Sequence, residues 1–282
     1  MRHLEFAHAK LNLWLNVHKK REDGFHEIET LIVPIATIKD ELHFDLNLGS
    51  GELIFECNDF NLESDHQNLV LQALSSLQRE VGNEFNGKIK LVKRIPVGAG
   101  LGGGSSDAAA TLRAVNKILG GPLSSESLHS LAASIGSDVP FFLDEVPAIC
   151  SGRGEMMQVL EDSVPAYSVV LVKPEFGVSS AWAYSKWATA ETLPEVSYVP
   201  QSNAWGTFYN DLELPVFQKY IGLANMKMWL LEQGESEIAV MSGSGSTLYA
   251  LCQHRDEADQ LLDKIRVEFG PSVWTEISSI GG

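Results

Sequence analysis

Hydrophobic and polar residues alternate along much of the first 57 positions of the chain. Leucine or valine occupies every second position from 11 to 17, which is the period of a half-buried β-strand. The residues between them share the opposite face and are Lys10, Asn12, Trp14 and Asn16. An Asp-Gly pair at 23–24 predicts a tight turn, and residues 25–34 and 41–48 predict two further strands. This part of the chain is therefore predicted to be rich in β-structure.

Helical and strand patterns are mixed along the rest of the chain. Apolar residues at helical spacing predict helices over residues 68–81, 106–119, 123–135, 178–192, 216–220, 224–232 and 257–269. Short apolar runs predict strands over residues 88–92, 139–143, 148–150, 168–172, 238–241 and 247–252, and residues 194–206 predict a loop. The mixture predicts an α+β protein with two domains, 1–160 and 161–282, which meet near residues 155–165.

Composition and charge narrow the class of protein. The formal net charge of -16 opposes general binding to nucleic acid. No stretch approaches the roughly 20 apolar residues that span a bilayer, and the acidic Glu5 interrupts the position of a secretory signal. We therefore expect a cytoplasmic protein with no membrane partner. The cysteines Cys57, Cys150 and Cys252 are far apart, which favours buried small residues over a disulfide framework.

The strongest chemical signal is a glycine-rich segment that follows a predicted strand and precedes a predicted helix. Residues 96–110 read PVGAGLGGGSSDAAA, with five glycines between positions 98 and 104. Such a turn exposes backbone amides at the positive end of a helix, where phosphate binds, and its serines offer hydroxyls to a phosphate or its Mg²⁺. The alternative is a plain turn in which Ser106 or Asp107 caps the helix, but it leaves most of the glycines unexplained.

Two other nucleotide-binding motifs are disfavoured for this segment. Gly98, Gly100 and Gly103 satisfy the G-x-G-x-x-G pattern of dinucleotide-binding proteins. That pattern needs an acidic residue about 20 positions later, where this chain has LGGP at 119–122. A Walker loop is excluded because no Gly-Lys-Ser/Thr closes the run.

Three segments in the same order resemble the GHMP kinases, a superfamily that includes galactokinase, homoserine kinase and mevalonate kinase. They are the glycine-rich segment 96–110, residues 9–13 (AKLNL) and residues 241–247 (MSGSGST). The resemblance implies an ATP-dependent small-molecule kinase that uses ATP and Mg²⁺. It also implies a ribosomal-protein-S5-domain-2-like amino-terminal domain and a ferredoxin-like carboxyl-terminal domain.

Further blocks resemble one family within that superfamily, the 4-diphosphocytidyl-2-C-methyl-D-erythritol kinases of the non-mevalonate isoprenoid pathway. These blocks are residues 21–31 (REDGFHEIETL), 100–106 (GLGGGSS), 136–142 (GSDVPFF) and 210–213 (NDLE). The resemblance implies phosphorylation of the substrate's 2-hydroxyl group by a monomer or weak dimer. Two positions depart from the family pattern, His8 in place of proline and Ser137 in place of alanine, and neither removes a reactive group.

The resemblance also implies roles for individual residues. Asp138 is the base, assisted by Lys10. The residues implied to contact ATP are Asn68, Lys93, Pro96, Gly98, Gly100, Leu101, Gly102, Gly103, Gly104, Ser105, Ser106, Gly243 and Ser244. The residues implied to contact the other substrate are Asn12, Phe25, His26 and Tyr184, with Phe25 stacking on the cytosine and His26 bonding to its edge. Ser105 or Ser106 is the implied metal ligand.

Several of these residues have structural alternatives that the sequence leaves open. Asp138 and Asn68 suit helix caps, and Lys10 and Lys93 suit solvated positions. The alternative role of Phe25 is that of an ordinary core aromatic residue, and that of His26 is a surface residue. Trp182 is an alternative to Tyr184 as the second stacking residue. For the whole chain, the alternatives are another GHMP small-molecule kinase of homoserine or mevalonate type, or a non-catalytic relative that binds ATP.

Overall fold

The computed structural model describes residues 1–59, 62 and 67–281 of the chain. Within that part the strands are β1 Arg2–Lys20, β2 His26–Leu48, β3 Leu53–Cys57, β4 Phe85–Val92, β5 Ala148–Gly152, β6 Met156–Val159, β7 Tyr167–Lys173, β8 Gln201–Ser202, β9 Thr207–Asn210, β10 Ile238–Met241, β11 Leu248–Cys252 and β12 Trp274–Ile280. The α-helices are α1 Leu69–Val81, α2 Gly103–Ile118, α3 Ser125–Ile135, α4 Phe141–Asp144, α5 Ser180–Trp187, α6 Glu213–Lys219, α7 Ile221–Leu231 and α8 Arg255–Phe269.

Most predicted elements are present, and the differences have local causes. The strands predicted over 25–34 and 41–48 are one strand, β2, because β-branched residues continue the extended pattern through Ile35, Thr37 and Ile38. The strand predicted over 139–143 is wrong: Pro140 has helical backbone angles and begins the short helix α4. The strands β3, β6, β8, β9 and β12 were not predicted, since each is short or rich in polar residues, and β8 lies within the predicted loop 194–206.

The first compact unit consists of Met1–Ala9, Ile38–Pro96 and Gly102–Glu145. In it, β3 runs parallel to β4, and β4 pairs antiparallel with the second half of β2 from Glu41 to Leu48. Helix α2 packs against α1, α3 and α4. The sheet and helices bury alternate apolar side chains, among them Leu42, Phe44, Ile89, Leu74 and Leu112.

Helix α2 is the central helix of the first unit. A run of alanines, Ala108 to Ala110, is fully buried and lets neighbouring helices approach its amino-terminal half. The helix begins at Gly103, three residues earlier than its apolar pattern predicts, after Gly102 in a left-handed conformation. The glycine-rich segment therefore forms the first turn of the helix as well as the bend that precedes it.

The second compact unit consists of Lys10–Thr37, Val97–Leu101 and Val146–Gly282, of which Gly282 is not described. Its four-stranded antiparallel sheet has the order β10-β11-β7-β12. Helix α8 packs on this sheet, and the buried core includes Val170, Val172, Leu261 and Ile265. In the same unit β1 pairs in parallel with β9, and the first half of β2 pairs antiparallel with β5.

The predicted α+β class is confirmed by this mixture of sheets and helices. Cys150 and Cys252 are buried, as predicted for small hydrophobic residues, but Cys57 is only partly buried because it ends the short strand β3. None of the helices in the described part of the chain combines the length and hydrophobicity that crossing a membrane would require. Each compact unit is made of several separate stretches of the chain. The division into domains 1–160 and 161–282 stays a prediction.

Candidate active site

The first half of the glycine-rich segment, residues 97–101, belongs to the second unit and is held by backbone hydrogen bonds. The amides of Ser246 and Thr247 donate to the carbonyls of Gly98 and Ala99, both at 3.2 Å. On its other side the amide of Lys10 donates to the carbonyl of Leu101 at 3.1 Å. The segment is thus fixed between strand β1 and the turn that joins β10 to β11, which are the other two motifs recognised in the sequence.

Two glycines in this assembly are required by space. Gly100 has a φ of 74°, and a Cβ atom added to it would lie 2.0 Å from the carbonyl oxygen of Ser242. Gly243 has a φ of 53°, and its Cβ would lie 3.1 Å from Lys10 Nζ and from the Gly100 carbonyl oxygen. At Gly100 the two glycine turns therefore approach each other more closely than any side chain allows, and a side chain at Gly243 would be crowded against the lysine.

Lys10 lies at the centre of this arrangement. Its side chain is buried, and its Nζ donates to the carbonyl of Gly100 at 2.8 Å and to Oδ1 of Asn12. Asn12 in turn donates through Nδ2 to Oγ1 of Thr30 at 2.8 Å. The solvated position considered for Lys10 is therefore wrong, and its ammonium is oriented against the glycine turn by neighbours in β1 and β2.

Asn210 orders the second glycine turn, a role that the sequence did not reveal. Its buried Nδ2 donates to the carbonyls of Met241 at 2.6 Å and Gly243 at 2.7 Å, while its Oδ1 accepts from the amide of Leu212 at 2.9 Å. These three contacts engage both hydrogens of the side-chain NH₂ group and the amide oxygen. With two carbonyls of the turn engaged by one side chain, the turn's conformation is fixed at both ends of Ser242.

The second half of the glycine-rich segment, from Gly102 onward, belongs to the first unit and opens helix α2. The first amides of a helix have no partner within it and carry the positive end of its dipole. Gly102 has no side chain with which to cap them, and Ser106 and Asp107 lie inside the helix. The cap considered for those two residues is therefore wrong. Ser106 Oγ is fully buried and has no hydrogen-bond partner among the described residues.

A buried ion cluster supports the start of α2. Lys93 Nζ lies 2.5 Å from Asp40 Oδ2 and 2.7 Å from Asp107 Oδ2, and it would lie 3.1 Å from a Cβ atom at Gly103. The solvated position considered for Lys93 is wrong. Burial raises the pKa of Asp107 to about 8, and the Lys93 ammonium offsets only part of that effect. The neighbouring carboxylates raise the pKa of Lys93 despite its burial, so the ammonium stays charged.

Aromatic side chains gather elsewhere in the second unit, around the hairpin turn after β1. Phe25 is 51% exposed, so the core position considered for it is wrong. The His26 ring lies 6.2 Å from that of Tyr184, in a stacked orientation, and 5.6 Å from that of Trp187, edge to face. Trp182, the rival of Tyr184, instead contacts Tyr220. Trp187 was missed because its helical spacing is that of any packed aromatic residue.

The remaining predicted residues lie in the first unit. Asn68 caps helix α1, its Oδ1 accepting from the amide of Val70 at 3.0 Å, as its structural alternative predicts. Asp138 lies in the turn between α3 and α4, where Pro140 rather than Asp138 holds the cap position of α4. Pro96 ends the strand-to-turn connection that precedes Val97. Among the described residues no group of three or more His, Cys, Asp or Glu side chains could hold a metal ion.

The structure therefore assembles the predicted residues as two sets, one in each compact unit. The second unit brings together Lys10, Asn12, Gly98, Gly100, Leu101, Gly243 and Ser244, and separately Phe25, His26 and Tyr184. The first unit carries Asn68, Lys93, Pro96, Gly102, Gly103, Gly104, Ser105, Ser106 and Asp138.

Two family profiles match the chain. The profile described as GHMP kinases N terminal domain matches residues 68–146, and that described as GHMP kinases C terminal matches residues 202–271. The 4-diphosphocytidyl-2-C-methyl-D-erythritol kinase of Methylacidiphilum infernorum is 39% identical over 279 residues, covering 98% of this chain and 96% of the relative.

The chain belongs to the GHMP kinases, in the family of the 4-diphosphocytidyl-2-C-methyl-D-erythritol kinases. The same-named kinase of Thermodesulfovibrio yellowstonii is 36% identical, covering 91% of this chain and 92% of the relative. A crystal structure of 4-(cytidine 5'-diphospho)-2C-methyl-D-erythritol kinase superposes over 100% of both chains with a TM-score of 0.77 and 30% identity. The GHMP kinase architecture expected from the three motifs is thereby confirmed.

Proposed function

We propose that the protein transfers the γ-phosphoryl group of ATP to the 2-hydroxyl group of 4-diphosphocytidyl-2-C-methyl-D-erythritol. The proposal draws support from the names of its relatives and from the local chemistry of the chain. Since the formal net charge is -16, the attraction of a triphosphate has to come from a few local groups. The glycine turns, the start of α2 and the buried lysines are groups of this kind.

The observation that carries the proposal is the packing of the two glycine turns around the Lys10 ammonium. Lys10 donates to the carbonyl of Gly100 at 2.8 Å, and a Cβ at Gly243 would lie 3.1 Å from its Nζ. Its hydrogen bonds to the Gly100 carbonyl and to Asn12 Oδ1 hold the ammonium in one orientation. A buried ammonium beside two glycine-rich turns suits a polyphosphate and the oxygen that attacks it.

The nucleotide is proposed to lie against residues from each of the recognised motifs. The amides at the start of α2, from Gly103 to Ser105, suit the phosphate oxygens. The hydroxyl of Ser106 is buried and without a partner among the described residues, which fits a ligand of the Mg²⁺ that accompanies ATP. That ion would neutralise charge on the phosphates. Asn68 and Lys93 are proposed to contact the nucleotide from the same unit.

The acceptor substrate is proposed to bind through the exposed Phe25 and the partly buried rings around His26 in the second unit. Phe25 offers a ring face for the cytosine, and His26, between Tyr184 and Trp187, offers ring nitrogens for its edge. His26 Nδ1 is 2.9 Å from the carbonyl oxygen of His18, which makes Nδ1 the donor and leaves Nε2 as an acceptor in the neutral ring. An acceptor at that position suits the exocyclic amino group of cytosine.

The proposed chemical step needs one base and one oriented ammonium. As the substrate's 2-hydroxyl oxygen forms a bond to the γ-phosphorus, its proton passes to the carboxylate of Asp138. The bond between the γ-phosphorus and the β,γ-bridging oxygen breaks, and ADP leaves with that electron pair. Lys10 favours the ionised carboxylate and donates to the attacking oxygen. The aligned amides of the glycine turns stabilise charge on the transferring group.

A substrate panel tests this function. ADP release is measured with ATP, Mg²⁺ and each of three acceptors: 4-diphosphocytidyl-2-C-methyl-D-erythritol, homoserine and mevalonate. We expect kcat/KM for the cytidyl substrate to exceed the other two by at least about a thousandfold, because only that substrate uses the stacking residues. Preference for homoserine or mevalonate would move the protein to another branch of the superfamily. ATP binding without turnover of any acceptor would favour the non-catalytic alternative.

The base is tested by Asp138→Asn, with Asp144→Asn as a matched control on the neighbouring helix. Asp144 lies at the surface and contacts His129 at 2.9 Å, so its replacement removes the same charge nearby. We expect Asp138→Asn to lower kcat by at least about a hundredfold with ATP affinity nearly unchanged, and the control to stay active. Equal activity of the two variants would reject Asp138 as the base.

A further inference from the structure

A cationic side chain covers the exposed ring that is proposed to receive the cytosine. The guanidinium carbon of Arg153 lies 5.0 Å from the centroid of the Phe25 ring. Arg153 stands in the turn after β5, and Phe25 in the turn after β1. A guanidinium at this distance is attracted to the face of an aromatic ring and limits its rotation. One face of the ring is covered in this way, and Phe25 as a whole remains 51% exposed.

Backbone and side-chain contacts fix the two turns beside each other. Strand pairing places Ile28 opposite Gly152, and Glu27 accepts from the amide of Gly152 at 3.1 Å. The Phe25 turn is closed by its carbonyl, which accepts from the amide of Arg21 at 2.7 Å. Arg153 is therefore held next to Phe25 by the fold rather than by a chance surface contact.

Arg153 has fewer close carboxylate contacts than the neighbouring Arg21, although its charge also acts on the carboxylate of Asp23. Arg21 lies 2.5 Å from Glu27 and 3.2 Å from Asp23, so two carboxylates engage its guanidinium. Arg153 contacts one carboxylate, that of Glu155, through Nε at 3.5 Å. Among the residues that the structure describes, neither terminal nitrogen of Arg153 has a hydrogen-bond acceptor. Those nitrogens form the part of a guanidinium that binds phosphate in a bidentate manner.

We infer that Arg153 is a substrate-recognition residue that binds the diphosphate of a cytidyl substrate while it holds the Phe25 ring in place for the base. The inference rests on the proposed function and extends it to the part of the substrate that carries charge. In a chain with a formal net charge of -16, a diphosphate needs a local cation. Arg153 provides one within reach of the ring on which the base stacks, so a single residue links recognition of base and diphosphate.

The test measures the binding of cytidine 5'-diphosphate and of cytidine by isothermal titration calorimetry. Arg153→Met keeps an unbranched apolar stem but removes the guanidinium, and Arg153→Lys keeps the charge without the planar fork. Arg255→Met is the matched control: Arg255 is an exposed arginine on α8 that contacts one carboxylate, Asp259, at 3.1 Å. It removes the same charge from the chain without touching the aromatic residues.

We expect Arg153→Met to weaken cytidine 5'-diphosphate by about tenfold or more and cytidine by no more than about threefold. Arg153→Lys should recover part of the diphosphate preference, and Arg255→Met should bind both ligands as the unaltered protein does. In turnover, Arg153→Met should raise KM for the cytidyl substrate with KM for ATP unchanged. Added salt should weaken diphosphate binding less in this variant than in the unaltered protein.

The outcomes separate this inference from the function on which it rests. If the unaltered protein binds cytidine 5'-diphosphate and Arg153→Met binds it equally well, the role of Arg153 is refuted while the proposed function stands. An equal loss for both ligands would also refute the diphosphate contact and leave only support of the ring. If the unaltered protein binds neither ligand and does not phosphorylate the cytidyl substrate, the proposed function fails and the inference fails with it.

Discussion

Replacing Gly100 by alanine tests whether the approach of the two glycine turns is needed for catalysis. The added Cβ would lie 2.0 Å from the carbonyl oxygen of Ser242, whereas ordinary van der Waals contact begins at 3.4 Å. The turns must therefore separate by about 1.4 Å. Gly100 also has a φ of 74°, a conformation that costs an alanine about 1–2 kcal/mol.

The separation should act mainly on activity. Lys10 Nζ donates to the carbonyl of Gly100 at 2.8 Å, so movement of this turn displaces the ammonium or breaks its hydrogen bond. A misplacement of about 1 Å in a phosphoryl-transfer site costs on the order of a hundredfold in rate. We therefore expect Gly100→Ala to lower kcat/KM for ATP by at least about a hundredfold.

A second glycine provides the control for backbone strain. Gly120, in the turn after α2, has a φ of 82° but no atom within 4 Å of an added Cβ. Gly120→Ala should therefore lose a similar 1–2 kcal/mol of unfolding free energy, about as much as the backbone share of Gly100→Ala, and keep its activity. Both variants are compared by urea denaturation and by initial rates over a range of ATP concentrations. The reasoning is refuted if Gly100→Ala is as active as Gly120→Ala at equal folded fraction.

Three further predictions concern the buried polar groups at the start of α2 and at the second glycine turn. Lys93→Met should lower the unfolding free energy by about 3–5 kcal/mol in urea denaturation, because it leaves the carboxylate of Asp40 buried without its ammonium; a loss below 1 kcal/mol would contradict this. Asp107 has a folded-state pKa of about 8, above that of an unfolded aspartate, so the folded state holds its proton more tightly. The stability of the unaltered protein relative to Asp107→Asn should therefore fall as pH rises from about 5 to 8, by up to about 1.4 kcal/mol per pH unit, and then level off; denaturation midpoints that move in parallel for the two proteins would reject the raised pKa. Asn210→Asp replaces the amide that donates to the carbonyls of Met241 and Gly243 with a carboxylate, which cannot donate. The variant should lose about 3 kcal/mol of unfolding free energy, and its KM for ATP should rise. An unchanged KM for ATP would show that Asn210 has no part in nucleotide binding.

The sequence predicted the parts of this protein that depend on local patterns. Alternation identified residues 10–17 of β1, and helical spacing identified α1, most of α2 and α8, because their apolar residues recur with the period of the element. The density of glycines identified the segment that we propose to bind phosphate. What local pattern cannot reveal is how far a strand continues, and β2 was accordingly predicted as two strands.

Partners that are distant in sequence account for what was missed in the site. Asp40 and Asp107 are 53 and 14 positions from Lys93, and no spacing rule connects the three. Arg153 and Phe25 are brought together only by the pairing of β2 with β5. Asn210 was recognised in the sequence only as part of a family motif. Its two hydrogen bonds to the glycine turn could not be predicted, because they join residues that are distant in sequence.

A crystal structure of the protein with a non-hydrolysable ATP analogue, Mg²⁺ and the cytidyl substrate tests the central claim most directly. We predict γ-phosphate oxygens within about 3 Å of backbone amides of the 100–106 segment, with the substrate's 2-hydroxyl between that phosphate and Asp138. A nucleotide bound elsewhere, with this segment empty and its amides directed away from the triphosphate, would contradict the account.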